Sequence, residues 1–269
     1  GDNLPRLWRG LMPEYPIFPG APIRYHFLFY MFVGLLEKTG LRIDWALNVP
    51  SIIGFALLLI SIFVLAKKLF TSTAVALLSV LFFLFNGSLS FIRFFTLHPI
   101  SLNTLRDVIA AREFPAFAPW GPGDVTAFWN LNVYTNQRHL AFAFALVILF
   151  ILTCLQVERF SLKRQMSWAI FWGIIIGLLP YFHQPTLLIL AIVIATYMLF
   201  FPKLRIFLFI TGILASLLVV PQLLAVRGSS NPIEWYPGYI IHNELSVRRL
   251  LSFWWQNLGL HSILILVGS

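Results

Sequence analysis

Cysteine is nearly absent from this chain. Cys154, its single thiol, lies inside an apolar run, which excludes an intrachain disulfide and a cysteine-ligated metal cluster. Charge is scarce as well: 11% of residues are Asp, Glu, Lys or Arg, against roughly 25% in ordinary soluble domains. The six histidines are scattered and none pairs as His-x-x-x-His, so nothing has metal-ligand spacing. The formal net charge is +9. No basic run is interleaved with aromatics as on a nucleic-acid-binding surface, however, and many Lys and Arg sit where apolar runs end. Orientation signals and lipid-headgroup contacts account for that placement, and nucleic acid is excluded as a partner.

What the chain has instead is apolar surface: 59% hydrophobic residues, 16% aromatic, and a mean hydropathy of +0.84. Several uncharged runs approach the ~20 residues a helix needs to cross a bilayer. The predicted fold class is all-α, a polytopic transmembrane helix bundle with outer-face juxtamembrane helices and loops. Residues 48–66 are 19 residues without a charge. They and residues 71–85, extending towards 90, give two spans; 140–157, 167–179, 186–201 and 206–226 give four more. Residues 22–36 are too short to cross comfortably and read as a helix in or just under the outer face. Residues 1–47 then form an outer loop, 91–137 a second and 227–249 a third, ahead of a truncated last span in 250–269. Within the second loop, Leu102, Leu105 and Ile109 fall at helical spacing, as on a short surface helix. The turn at residues 180–185 joins two spans.

The short loops at Lys67-Lys68, 158–164 and 202–205 carry seven Lys or Arg and one acid. They fall on one side of the membrane, cytoplasmic by the positive-inside rule.

The stretch at residues 13–70 sets a recognisable order. Gly1-Asp2-Asn3-Leu4-Pro5 is followed by Tyr15-Pro16 through Pro22, and Tyr25-His26 opens a short helix. Gly40, Asn48-Val49-Pro50-Ser51 and the exit Lys67-Lys68-Leu69-Phe70 complete it. This order resembles the first outer loop and second spanning helix of the GT-C membrane glycosyltransferases, the polyprenyl-phosphate-sugar-dependent enzymes that include aminoarabinose transferases and protein O-mannosyltransferases. About the first quarter of the chain carries the resemblance; the rest follows by helix-and-loop layout.

The resemblance implies transfer of a sugar from a polyprenyl-phosphate donor to an acceptor on the extracytoplasmic face, in a multi-pass protein of a prokaryotic cytoplasmic membrane. Such transfer needs a carboxylate as base and a cation or divalent metal to stabilise the leaving phosphate. It also needs a groove open to the membrane. In the family the acid precedes the Gly-Asp-x-x-Pro element, so Asp2 does not match it. The expectation is that the chain is an internal segment, inactive as it stands, with the catalytic acid upstream of Gly1.

Candidate contacts remain. His26, Tyr30 and Glu37 share one helical stripe, either lining a cavity or facing headgroups. Arg138 and His139, flanked by Asn136 and Gln137, sit at the mouth of a span, where an arginine can hold a phosphate bidentately or snorkel to headgroups. His183 and Gln184 lie in a turn on the same side and line the cavity or face water. Asp124, after Gly121-Pro122-Gly123, contacts an acceptor or a metal, or is a solvated turn aspartate. Arg248-Arg249, immediately before the last span, bind lipid phosphate or simply anchor the helix. Two other functions stay open. His242-Asn243-Glu244-Leu245 before a span fits an O-antigen ligase or polymerase-like protein. A transporter or flippase would place its polar groups at the bilayer midplane.

Overall fold

The computed structural model describes residues 14–15, 18–23, 27–85, 90–111, 130–226 and 246–268. Helix dominates them, and the chain is a multi-pass transmembrane helix protein: four helical segments are long and apolar enough to cross, or five if a bent pair counts as one span. The contacts divide it into two units, residues 1–76 with 137–230 and residues 77–136 with 231–269.

In the first unit a two-stranded antiparallel ribbon, β1 (Glu14–Tyr15) and β2 (Phe18–Pro22), precedes α1 (Leu28–Lys38). The helix expected over residues 22–36 therefore starts later. Pro19 and Pro22 carry no N–H and hold φ near −65°, which suits a ribbon edge and disfavours a helix interior. With 11 residues, α1 is roughly 16 Å long, about half a hydrocarbon core. The longest helix, α2 (Ile43–Phe70), has 28 residues and extends the run expected at 48–66 in both directions. It is followed in the first unit by α7 (Leu140–Val157), α8 (Leu162–Gly177), the short α9 (Leu179–Phe182), α10 (Gln184–Phe200) and α11 (Arg205–Val226).

Lipid tails are as apolar as these side chains, so close packing and interhelical hydrogen bonds hold the helices together. Small residues permit the closest approach. Ala169, Gly173 and Gly177 repeat every fourth residue along α8 and face α11. A Cβ on Gly173 would meet the Leu214 Cβ at 2.6 Å, and one on Gly177 would meet Leu218 Cδ1 at 2.6 Å and Cβ at 2.7 Å. Polar groups close the same seam: the Thr211 hydroxyl, bonded to the Phe207 carbonyl of its own helix at 2.9 Å, lies 3.5 Å from the Ala169 carbonyl of α8, and Gln222 Nε2 donates to the Gly177 carbonyl at 2.6 Å. The pairs 173–214 and 177–218 ascend together, so α8 and α11 are parallel and α10 must run back between them. Likewise Gly54 lets α2 lie against Phe142, with a Cβ there 3.1 Å from the Phe142 Cβ. Asn48 meets Arg138 at one end of the same contact, making α2 and α7 parallel.

Deeper in the unit, Phe150, Trp172, Ile176, Leu190, Phe207 and Leu208 form the core. Trp172 Nε1 donates to Thr153 Oγ1 at 3.1 Å, and that hydroxyl donates to the Leu149 carbonyl at 2.8 Å. Lys203 lies 3.7 Å from Glu158, which brings the 158–164 and 202–205 loops to one end of the unit. We call this the basic end. Because α2 runs parallel to α7, its Lys67-Lys68 terminus points the same way.

The second unit contains most of α3 (Thr73–Leu84), then α4 (Ser90–Leu97), α5 (Thr104–Ala110), α6 (Asn130–Asn136), α12 (Val247–Leu258) and α13 (Leu260–Gly268). The span expected over 71–85 is the 12-residue α3, roughly 18 Å long and too short to cross a ~30 Å core by itself. The surface helix inferred from Leu102, Leu105 and Ile109 is α5, with Leu102 in the turn before it and all three exposed. Ring contacts join Phe83 to Tyr134 and Phe82 to His261, with centroids 5.7 and 6.1 Å apart. The last span expected at 250–269 is instead two helices bent by 97°.

Candidate functional site at the histidine end

The end of the first unit opposite the basic loops is built around a broken helix. The tight turn expected at 180–185 is a helical turn, α9, that stops at one extended residue, His183 (φ −166°, ψ 101°), before α10 resumes. Pro185 is the cause. In a continuous helix its ring would collide with the Tyr181 carbonyl, and it has no N–H to donate there. The freed Tyr181 carbonyl accepts instead from the Phe27 backbone N–H at 2.9 Å, and the Phe27 and Tyr181 rings lie 5.0 Å apart. One proline thus creates both the break and the point where the entry to α1 docks.

His183 is buried as the N-terminal cap of α10, and its Nδ1 shares a hydrogen bond of 2.6 Å with the buried Thr186 hydroxyl. Against it lies His139, buried at the head of α7, with ring centroids 5.3 Å apart. Phe29, Tyr30 and Phe182 surround His139 at 6.2, 6.4 and 6.2 Å. Burial, and second the nearby His183, push the His139 pKa down to about 4. Burial also lowers that of His183. Both rings are therefore neutral near pH 7. A base of pKa about 4 is poorly matched to proton abstraction at that pH. As neutral rings they can offer polar edges to a neighbouring group rather than a charge.

Arg138, next to His139, is half-buried and donates from Nη1 to Asn48 Oδ1 across the α2–α7 contact. A guanidinium has five donors in a planar fork, so this anchor orients the group while the rest of the fork can meet an anion. Gln184 follows as the first residue of α10, and Tyr30, on α1, is half exposed at the rim.

The structure thus brings Tyr30, Arg138, His139, His183 and Gln184 to one end. His26 and Asp124 lie outside the described residues. Three contributors escaped the sequence reading: Asn48, Thr186 and the Tyr181 carbonyl. A lone asparagine or threonine near the head of an apolar helix is the signal that flags the first two, because polar groups there tend to be partnered. Of the acids of this unit that can be placed, Asp44 pairs with Arg42 at 3.0 Å, Glu158 lies against Lys203, Glu37 is exposed on the last turn of α1, and Glu14 is half-buried on β1. Among the described residues no three His, Cys, Asp or Glu gather as a metal site would require. No protein-family model, curated protein or solved structure matches the chain.

Proposed function

We propose that this chain is the membrane part of a GT-C-type glycosyltransferase and that the histidine end receives the phosphate of a polyprenyl-phosphate sugar. The observation that carries the reading is Arg138, held by Asn48 and next in the chain to one of a buried, neutral histidine pair at the end away from the basic loops. A guanidinium braced on one edge is suited to a phosphate, and the aromatic wall of Phe29, Tyr30 and Phe182 suits the first isoprene unit or the sugar face. By the positive-inside rule the basic loops are cytoplasmic, which puts this site on the extracytoplasmic face, in keeping with a prokaryotic inner-membrane enzyme. The acceptor base is then sought among residues outside those described, with Asp124 the first to test.

The reading is tested by donor binding to the protein in lipid nanodiscs. Arg138→Ala should weaken polyprenyl-phosphate-sugar affinity by ~1.5–3 kcal/mol, the size of a charge-assisted hydrogen bond. Arg138→Lys should recover part of it, since the charge returns without the fork. Asn48→Ala should weaken binding less than Arg138→Ala. Unchanged affinity in a folded Arg138→Ala protein removes the site. Movement of labelled donor across vesicles without sugar transfer would favour a flippase.

A further inference from the structure

We infer that α12 lies flat in the membrane–water interface and binds the phosphates of anionic phospholipids through Arg248 and Arg249. The inference is independent of the glycosyltransferase reading, because it rests on a different unit and on the chemistry of one helix.

Val247, Leu250, Leu251, Trp254 and Leu258 recur at intervals of three and four and form one apolar stripe along α12. All five side chains are exposed. Arg249, Ser252 and Gln256 occupy the opposite face, where Gln256 Nε2 donates to Ser252 Oγ at 3.0 Å. Arg248 stands at the edge between the two faces, as does Trp255. The Ser246 hydroxyl caps the helix by accepting from the Arg249 N–H at 3.3 Å.

This pattern fits neither a span nor a water-soluble surface helix. A span of 12 residues would cover roughly 18 Å and would bury two guanidinium groups and two amides in hydrocarbon. In water the stripe would leave three leucines, a valine and a tryptophan exposed without return. At the interface both faces are satisfied. The stripe sinks into the acyl boundary, Trp254 and Trp255 sit at the headgroup level that indoles favour, and the arginines reach phosphates.

The next element fixes the orientation. Gly259, at φ 55° and ψ −130°, makes a bend that a residue with a Cβ would resist, and its N–H closes α12 on the Trp255 carbonyl at 3.0 Å. Beyond it α13 turns by 97°, and Ile263, Leu264, Ile265, Leu266 and Val267 are exposed on all its sides. A helix apolar all round belongs in hydrocarbon. With α13 entering the bilayer, a turn near a right angle lays α12 along its surface.

The occupant is the lipid headgroup layer because the partner must be apolar below, anionic above and continuous with the lipid around α13. A phosphodiester-bearing acidic lipid matches all three. Each arginine near a negatively charged surface is worth about fivefold in binding.

The test uses the full chain, with Cys154→Ser, in nanodiscs of phosphatidylcholine alone or mixed equally with phosphatidylglycerol. Single cysteines carrying a nitroxide at each position from 250 to 257 report depth by oxygen and nickel accessibility. Depth should oscillate with the helical period, with Leu251 and Trp254 deep and Ser252 and Gln256 shallow. A steady rise in depth along the series means a span. Water accessibility at Leu251 and Trp254 means a face turned away from lipid, as on a protein partner. Either overturns the proposal. In the mixed discs, spin-labelled phosphatidylglycerol should be held next to the protein in preference to phosphatidylcholine. Arg248→Gln/Arg249→Gln should lower that preference severalfold, and the double lysine variant should restore most of it. A preference unmoved by the glutamine variant overturns the lipid assignment even if the helix lies flat.

Discussion

Alanine placed at four glycines should separate packing from helix propensity. At Gly177 a methyl group would sit 2.7 Å from the Leu218 Cβ, an atom that cannot rotate away. At Gly173 it would sit 2.6 Å from the Leu214 Cβ and 3.3 Å from the Thr211 carbonyl. Relief requires α8 and α11 to separate by several tenths of an ångström, and overpacking of that kind costs about 1–3 kcal/mol. At Gly177 the separation also stretches the Gln222 bond to the Gly177 carbonyl, now 2.6 Å. Interhelical bonds in membranes contribute about 0.6 kcal/mol on average and ~1.7 at most. Gly54→Ala, facing the Phe142 Cβ at 3.1 Å, needs a smaller shift and should cost about 1 kcal/mol. Gly34 has nothing within 4 Å of its added Cβ and lies inside α1, so alanine there should gain roughly 0.5–1 kcal/mol from backbone entropy. The assay is equilibrium unfolding in mixed micelles by dodecyl sulfate titration, read by circular dichroism. The expected order of stability is Gly34→Ala above wild type, then Gly54→Ala, with Gly173→Ala and Gly177→Ala lowest. If Gly177→Ala and Gly34→Ala unfold together, the α8–α11 contact is not what holds this unit.

Three further outcomes are expected. The depressed His139 pKa, about 4 against an ordinary 6.5, means the unfolded chain binds this proton more readily. Its contribution to stability is therefore complete above pH 6.5 and is lost as pH falls from 6.5 towards 4. Roughly 3 kcal/mol is at stake. Melting followed from pH 7.5 to 4.5 should show that slope, and His139→Phe should reduce it to the part that the buried His183 contributes; a wild-type slope in the variant would place the titration elsewhere. Thr153→Val keeps the shape of the side chain but removes the acceptor of the Trp172 indole bond. It should lower unfolding stability by about 0.6–1.7 kcal/mol, Thr153→Ser should not, and equal stability of the valine variant and wild type rejects the bond as a contributor. Finally, in a Cys154→Ser background, cysteines at Thr39 and Lys68 should react with an impermeant maleimide from opposite sides of sealed vesicles; reaction from one side shows that α2 does not cross.

The spans were legible because the chain marks them with charge. The helix Leu140–Val157 matches its expected limits residue for residue, since His139 and Glu158 flank an uncharged run. Elements governed by a single backbone event were not legible in the same way. The break at His183 follows from the steric effect of Pro185 on a carbonyl four residues earlier, and the bend at Gly259 from one positive φ. Neither changes the hydropathy of its surroundings. The α8–α11 seam was legible in principle, because Ala169, Gly173 and Gly177 stand at the small-residue spacing that brings helices close. For the site, positive-end charges predicted which residues share an end, and the structure places Tyr30, Arg138, His139, His183 and Gln184 there. It could not show that Arg138 is tied to Asn48 rather than pointing freely to the headgroups. That contact depends on the parallel packing of two helices far apart in sequence.

The two parallel pairs are joined differently at their two ends, and this bears on where a long lipid could enter. Towards the basic end α7 meets the α8–α11 pair through the Trp172–Thr153 hydrogen bond, the stacked rings of Phe150 and Phe207, and the Lys203–Glu158 ion pair. Thr153 lies 14 residues beyond His139, roughly 20 Å along α7. At the histidine end the described contacts between the same pairs are ring packing around His139 and His183, together with α1. That short helix holds α2 through Phe29 and Val33 against Ala46, and holds α9 through the Phe27 N–H and the Phe29–Phe182 contact. Ring contacts of this kind contribute about 0.5–1.5 kcal/mol each and tolerate sliding, whereas a buried hydrogen bond does not. The seam should therefore open first at the histidine end, where α1, tied to α9 by the Phe27 N–H bond, parts from its apolar contact with α2 and the basic end is the fulcrum. On the proposed function, a groove that opens at the headgroup level and stays shut at the opposite face would admit a prenyl chain laterally without making a pore.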